Sequence, residues 1–376
     1  MRLMVIGVGD CGCRLAREFA ELNKMAKGEW HGNIITCAYA VNNDQKLLGE
    51  LTKSGWDWLK PVPIRGPLVG KSTEAGAKLM RHESERVMLA MRLGAFVNTD
   101  AFLFIASTGG SLGSGGVPVM IQLLKERHMD KPVYALLVLP FDSELDDPQS
   151  VHNTALCLKS IDKLADAVIL ADNGGLGMLG NITPPQKMGG LNKELVSSFY
   201  DLLCAGEMTG SKYVAGKVLD AGDIVQTLFG WTAIGVGKVQ MSSSILPWKR
   251  APGFEQRSSE TFRAIEAMNL ALMRLSVDCK LEDAGKALYL LSAPVGKVNV
   301  DMIKALGNRL RELAPNAEMR DGSFYGDKNF TKVTVVISEL IYVDRIRNYY
   351  DRAARMAKVA AGEEKPAGGE EKTALV

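Results

Sequence analysis

Short, nearly unbroken apolar runs recur along the first half of the chain, each followed by residues at helical spacing. Leu3-Met4-Val5-Ile6 comes first, and Leu15, Ala16, Phe19 and Leu22 then repeat at a period near 3.6. Ile34 to Val41, Ala101 to Ala106, Val133 to Leu139 and Ala167 to Ala171 are further runs of the same kind. Helical patterns over Glu74–Leu93, Val117–Arg127 and Val151–Leu164 separate the later ones. Strands apolar on both faces and alternating with helices predict a doubly wound parallel sheet, an α/β fold.

The second half changes character. A long helix is predicted from about Leu191 to Glu207, with Leu191, Leu195, Phe199, Leu202 and Leu203 on one face. Strands follow at Thr232–Val236, Ala287–Leu291 and Lys332–Ile337, with a helix over Met302–Ala314. This reads as a smaller α+β domain. From about Gly362 no apolar periodicity remains, and a disordered tail is expected.

Composition narrows the classes. A length of 376 residues suits two or three domains, and 47% hydrophobic residues fill their cores. A net charge of +2 and 7% aromatics, with no basic stripe, argue against a nucleic-acid partner. No apolar run approaches the ~20 residues of a membrane span, and no signal peptide opens the chain. A cytoplasmic protein with no integral membrane segment is expected. The six cysteines form no CxxC and read as small buried hydrophobes, and the four histidines form no ligand pair.

Two glycine turns carry the candidate chemistry. Gly7-Val8-Gly9-Asp10-Cys11-Gly12 follows the first strand, and Thr108-Gly109-Gly110-Ser111-Leu112-Gly113-Ser114-Gly115-Gly116 follows the run ending at Ala106. A strand, a glycine-rich turn and a helix start form a phosphate cradle: backbone N–H groups face the anion and the helix dipole favours it. The first turn matches GxGxxG, which keeps a nicotinamide-dependent enzyme among the alternatives. The second strand, however, leads into Asn42-Asn43-Asp44 rather than to an earlier acid for the ribose. Gly66 to Ser72 imitates a P-loop but is one residue short, with no clear strand immediately before it. Asp220 and Asp223, three apart, share one side of a helical turn, fitting either water activation or a helix start that favours aspartate.

Taken together, these features resemble the tubulin/FtsZ superfamily, and most closely its archaeal CetZ branch, over roughly residues 1–345. The resemblance implies a Rossmann-like GTPase domain (1–188), a central helix (189–210), a C-terminal activation-type domain (211–345) and a tail (362–376). The family signature GGGTGSG falls on Gly109-Gly110-Ser111-Leu112-Gly113-Ser114-Gly115, where Ser111 replaces glycine and Leu112 replaces a phosphate-binding threonine. Losing a hydrogen bond to a charged group costs about 1.5–3 kcal/mol.

Further nucleotide contacts are implied for Gly7, Gly9, Asp10, Cys11, Gly12, Asn42 and Asp44, and for Gly70 and Lys71 near the γ-phosphate. Glu144 is implied at the ribose, Asn173 and Asn192 at the guanine edge, and Met188 against the base, where relatives carry an aromatic ring. An arginine expected shortly after Glu144 is absent, and Val218 stands where the NxDxxD loop of FtsZ has asparagine. Asp10 is left with two readings, a Mg2+ contact or a helix-capping carboxylate.

The function implied is a GTP- or GDP-binding cytoskeletal protein, assembling head to tail with itself and serving cell shape. Asp220 and Asp223 would be its catalytic residues, completing the site of the neighbouring subunit. The alternative is a non-hydrolysing relative that polymerises without nucleotide or regulates a tubulin/FtsZ-like partner.

Overall fold

The computed structural model describes residues 1–30, 34–53, 58–66, 70–127, 130–173, 184–207, 216–241, 254–326 and 329–361. The expected tail, 362–376, lies outside them.

The apolar runs form the strands β1 (Leu3–Val8), β2 (Ile35–Asn42), β4 (Ala101–Ser107), β5 (Val133–Leu139) and β6 (Ala167–Asp172). They are parallel, and β1 lies between β2 and β4. An additional strand, β3 (Leu59–Pro63), pairs with β2 and ends the sheet. Its two prolines hide it from a propensity reading and suit an edge position. A strand therefore does precede the segment that imitates a P-loop.

The second half continues the same sheet. β7 (Gly230–Gln240) pairs parallel with β6 through its first residues and antiparallel with β10 (Phe330–Leu340). β10 also pairs antiparallel with β8 (Ala284–Ala293), and β8 pairs parallel with the polar β9 (Glu318–Tyr325). Among the described residues the ten-stranded order is β3-β2-β1-β4-β5-β6-β7-β10-β8-β9.

Helices cover both faces. On one side α1 (Gly9–Trp30), α2 (Gln45–Thr52) and α6 (Pro184–Ala205) bury Leu15, Phe19, Leu47, Leu195 and Phe199 against the strands. Phe19 and Phe199 meet edge to face at 6.2 Å, docking the central helix on α1. On the other side lie α3 (Thr73–Leu93), α4 (Leu112–Arg127) and α5 (Pro148–Ile161), then α8 (Phe254–Met273), α9 (Val300–Leu313) and α10 (Asp344–Ala360). The short α7 (Ala221–Thr227) precedes β7. α8 and α10 are not apparent in the hydrophobic pattern; α10 is mostly polar and buries only a narrow stripe through Ile346 and Tyr349.

The fourth helix starts earlier than its apolar pattern suggests, at Leu112 rather than Val117. Gly113, Gly115 and Gly116 therefore lie inside it. A Cβ at Gly115 would stand 2.1 Å from the Thr73 carbonyl oxygen, and one on Gly76 of α3 would stand 2.2 Å from that of Ser111. The second half of the glycine stretch thus brings two helices into backbone contact, and only its first half forms the turn.

Candidate nucleotide site

The strand order reverses at β1, whose neighbours β2 and β4 lead in opposite directions across the sheet. Crevices at the carboxyl ends of strands form at such a point. Here the crevice is a cavity of about 380 Å³ lined by Gly9, Asp10, Cys11, Asn42, Asn43, Asp44, Gly70, Lys71, Ser107, Gly110, Ser111, Leu112 and Gly113. That volume suits a small organic ligand.

Each wall follows from local structure. β1 ends and α1 begins at Gly9, whose φ of +73° is the left-handed region that glycine occupies without strain. A Cβ on Gly9 would lie 3.5 Å from the Gly113 amide nitrogen, so the two glycine turns meet across the cavity floor. The N-termini of α1 and α4 both open there, bringing the positive ends of two helix dipoles together. β2 delivers Asn42, and Asp44 caps α2 by accepting from the amides of Lys46 (2.9 Å) and Leu47 (3.1 Å). Ser72 caps α3 by accepting from the Ala75 amide, which places Gly70 and Lys71 at the rim.

Asp10 sits exposed in the first turn of α1, and its Oδ1 accepts from the Asn42 side-chain amide at 2.7 Å. The cavity thus presents carboxylates at Asp10 and Asp44 as well as helix N-termini, a donor set that fits an anion accompanied by a hard cation. The Cys11 thiol is pushed up to about 12 by burial, which outweighs the opposing Arg14 charge, so it stays protonated and adds no charge. Leu112 lines the cavity while being buried in the core, and it offers no hydroxyl. Lys71 Nζ donates to Asp147 Oδ2 at 2.6 Å, and this partner raises its pKa.

Several expected site residues stand behind or outside the wall. A Cβ on Gly7 would strike the Gly12 carbonyl, and one on Gly12 that of Ile105, so these glycines let α1 settle onto the sheet. Gly109 backs the turn against Pro140 and Ser150. The Ser114 hydroxyl turns to the carbonyls of Gly110 and Ser111 and lies 2.6 Å from that of Thr73. Glu144 is exposed and accepts from the Phe141 amide at 2.8 Å, while Asn173 is half-buried just after β6. The side chains of Met188 and Asn192 lie outside the described residues. Asn43, Ser107 and Asn153 join the site without a sequence motif; Asn153 shares the buried face of α5 with the polar Ser150 and Thr154, so no pattern marks it.

Asp220 and Asp223 sit elsewhere. They form a reciprocal capping box at the start of α7: the Asp223 amide donates to Asp220 Oδ1 at 2.8 Å, and the Asp220 amide to Asp223 Oδ2 at 3.2 Å. A Cβ on Gly206 would lie 3.2 Å from the Met1 nitrogen and 3.5 Å from that of Ala221, so this helix stands beside the start of β1. The cavity opens at the other end of that six-residue strand, on the order of 17 Å away at a rise of ~3.3 Å per residue. Within one chain the acids and the cavity do not meet.

Two family descriptions match the chain in succession: "Tubulin/FtsZ family, GTPase domain" over residues 2–180 and "Tubulin-like CetZ, C-terminal domain" over residues 186–355. The chain belongs to the tubulin/FtsZ superfamily, on its CetZ branch. Among its relatives, the tubulin-like protein CetZ1 of Haloferax volcanii is 28% identical over 345 residues, covering 86% of this chain and 84% of CetZ1. CetZ3 of the same organism is 27% identical, covering 92% and 90%. The fold agrees with that of CetZ2 from Haloferax volcanii, described as a GTPγS-bound protofilament, at a TM-score of 0.81 and 22% identity, covering 96% of this chain and 100% of that one. It agrees also with that of CetZ1, described as a GDP-bound monomer, at 0.77 and 24% identity, covering 95% and 100%.

Proposed function

We propose that this CetZ-like chain binds GTP in the cavity between its glycine turns and assembles head to tail into protofilaments. The observation that carries this reading is the placement of cavity and acid pair at opposite ends of one sheet. Stacking one copy on the next would deliver Asp220 and Asp223 to a neighbour's nucleotide, a heterologous contact that generates open filaments. Exposed Val218, Val225, Phe229, Ile341 and Tyr342 cluster around that acidic end and supply apolar surface for the contact. The relatives described as a GTPγS-bound protofilament and a GDP-bound monomer support the same reading.

In this reading the chain divides into a nucleotide domain (1–188), a central helix (189–210) and a C-terminal domain (211–345). The N-termini of α1 and α4 hold phosphate oxygens, and Lys71 reaches the terminal one. Asn42 and Asp44 hold the nucleoside side, with Glu144, Asn173, Met188 and Asn192 further along the same edge. Asp10 would hold a Mg2+ ion, which when bound neutralises phosphate charge. Asp220 and Asp223 of the next subunit orient and polarise the attacking water; catalysis is positioning and electrostatics. Cytoplasmic filaments of this kind would serve cell shape.

Phosphate release measured against protein concentration tests this. Specific activity should rise steeply as filaments form, and GTP should sediment more protein than GDP or no nucleotide. A specific activity independent of concentration overturns hydrolysis at subunit contacts. Leu112, which offers no hydroxyl, favours a second reading, filaments that form without hydrolysis; sedimentation without phosphate release would identify it. Family membership leaves the nicotinamide reading without support.

A further inference from the structure

We propose that Asn153 is a positioning residue that fixes the Lys71 segment against the glycine turn at Gly109 and thereby sets the cavity's preference for a triphosphate over a diphosphate. This rests on the proposed binding of guanine nucleotide with Lys71 at the terminal phosphate.

Asn153 is fully buried on α5, behind the cavity rather than in it. Its side-chain nitrogen donates to the Lys71 carbonyl at 2.7 Å and to the Gly109 carbonyl at 2.9 Å. Its oxygen accepts from the Gln149 side chain at 2.9 Å, which fixes the orientation of the amide. Both N–H groups of one amide are thus spent on two loops that are far apart in sequence and meet on the same side of the cavity, where α3 and α4 are already in backbone contact. No other side-chain type of this size supplies two donors at that spacing with an acceptor behind them.

The rest of the helix start reinforces the hold on the Lys71 segment. Asp147 caps α5 through the Gln149 amide at 3.1 Å and also accepts from Lys71 Nζ. His152 Nε2 lies 3.3 Å from Glu74 Oε1. The backbone of Lys71 is pinned by Asn153, while its side chain, 75% exposed, pairs with Asp147. An exposed pair of this kind contributes little and exchanges readily. The ammonium is therefore free to swing from Asp147 to a terminal phosphate without moving its own backbone. A diphosphate, which ends short of the Lys71 wall, gains less from that arrangement.

The test compares binding of GTPγS and GDP to the full chain carrying Asn153→Asp, Asn153→Ser or Lys71→Ala, with folding checked by thermal melting. Asn153→Asp replaces two donors with oxygens that face carbonyls. Asn153→Ser, the milder change, serves if Asn153→Asp does not fold. The expected result is that both Asn153 variants and Lys71→Ala lower the GTPγS-over-GDP preference about ten-fold, the size of one hydrogen bond to a charged group. If the wild-type chain binds both nucleotides and the Asn153 variants weaken both equally, or neither, this inference alone is overturned. A wild-type chain that binds neither nucleotide overturns the proposed function and this inference together.

Discussion

Asn42 and Asp10 join the end of β2 to the first turn of α1 through a 2.7 Å hydrogen bond from amide to carboxylate. Asn42 is 2% exposed, and its own oxygen accepts from the Asp44 amide at 3.1 Å, so the carboxylate is held by a rigid donor. A fixed anion facing phosphates repels them unless a cation lies between. Asp10→Ala should therefore weaken nucleotide binding about ten-fold in Mg2+, by loss of one charged contact. In EDTA the order should reverse, the variant binding at least as well as wild type. Titration calorimetry in the two buffers checks this; equal weakening in both would mean that Asp10 contacts the nucleotide without a metal.

The capping box of α7 separates stability from turnover. Asparagine caps a helix about as well as aspartate, so Asp220→Asn should leave the thermal midpoint almost unchanged. It should nevertheless abolish most concentration-dependent phosphate release. Asp220→Ala should also cost about 1 kcal/mol of stability through the lost cap. Urea titration alongside a phosphate assay distinguishes the two effects.

Gly115 predicts a different failure. Alanine there would place a methyl group 2.1 Å from the Thr73 carbonyl oxygen and 2.6 Å from the Ala77 nitrogen, both of them backbone. The helices must part, at a cost of about 1–3 kcal/mol typical of overpacking. Gly70→Ala meets nothing within 4 Å and should be nearly neutral for stability. Denaturant midpoints of the two variants should differ accordingly.

Cys11 reports on the cavity by its reactivity. Its thiol is pushed up to about 12 by burial, so alkylation at pH 7 should be slow and should rise roughly ten-fold per pH unit well beyond pH 9. An ordinary thiol, with a pKa of about 8.5, would level off there. Added GDP should slow the reaction further if it occupies the wall that Cys11 lines. Mass spectrometry of the Cys11 peptide over a pH series gives both answers.

Acid should loosen the opposite end of the sheet. Burial works against the Asp100 charge, but the Arg2 side chain and amide outweigh it and hold the carboxyl below its usual range. A lowered folded-state pKa gives stability that is present above the unfolded value near 3.8 and is lost as pH falls through the folded one. Asp100→Asn should therefore be less stable than wild type at pH 7, and the difference should shrink below about pH 4. Urea midpoints at both pH values measure it.

The legible parts of this fold were those with strong periodicity. Strands buried on both faces, such as Ala101–Ser107 and Val133–Leu139, announce themselves as apolar runs. The edge strands β3 and β9 do not, because prolines and polar residues suit an edge and carry no apolar signature. The glycine turns were visible as a cradle, and the cavity lies between them. Their division of labour was not: Gly113, Gly115 and Gly116 look like loop in sequence, yet they are helix, because closeness to α3 outweighs their low helix propensity. Asn153 was invisible for a related reason. A single buried amide acquires meaning only when Lys71 and Gly109, distant along the chain, are seen to converge on it.

Backbone contact between α3 and α4 has a consequence for how the site responds to its ligand. Helices separated by side chains slide on one another by rotamer changes, but main chains touching at Gly76 and Gly115 have no such play. Lys71 and Ser111, at the near ends of those two helices, therefore travel as one solid jaw. A displacement of either one would carry the other with it and leave their spacing intact.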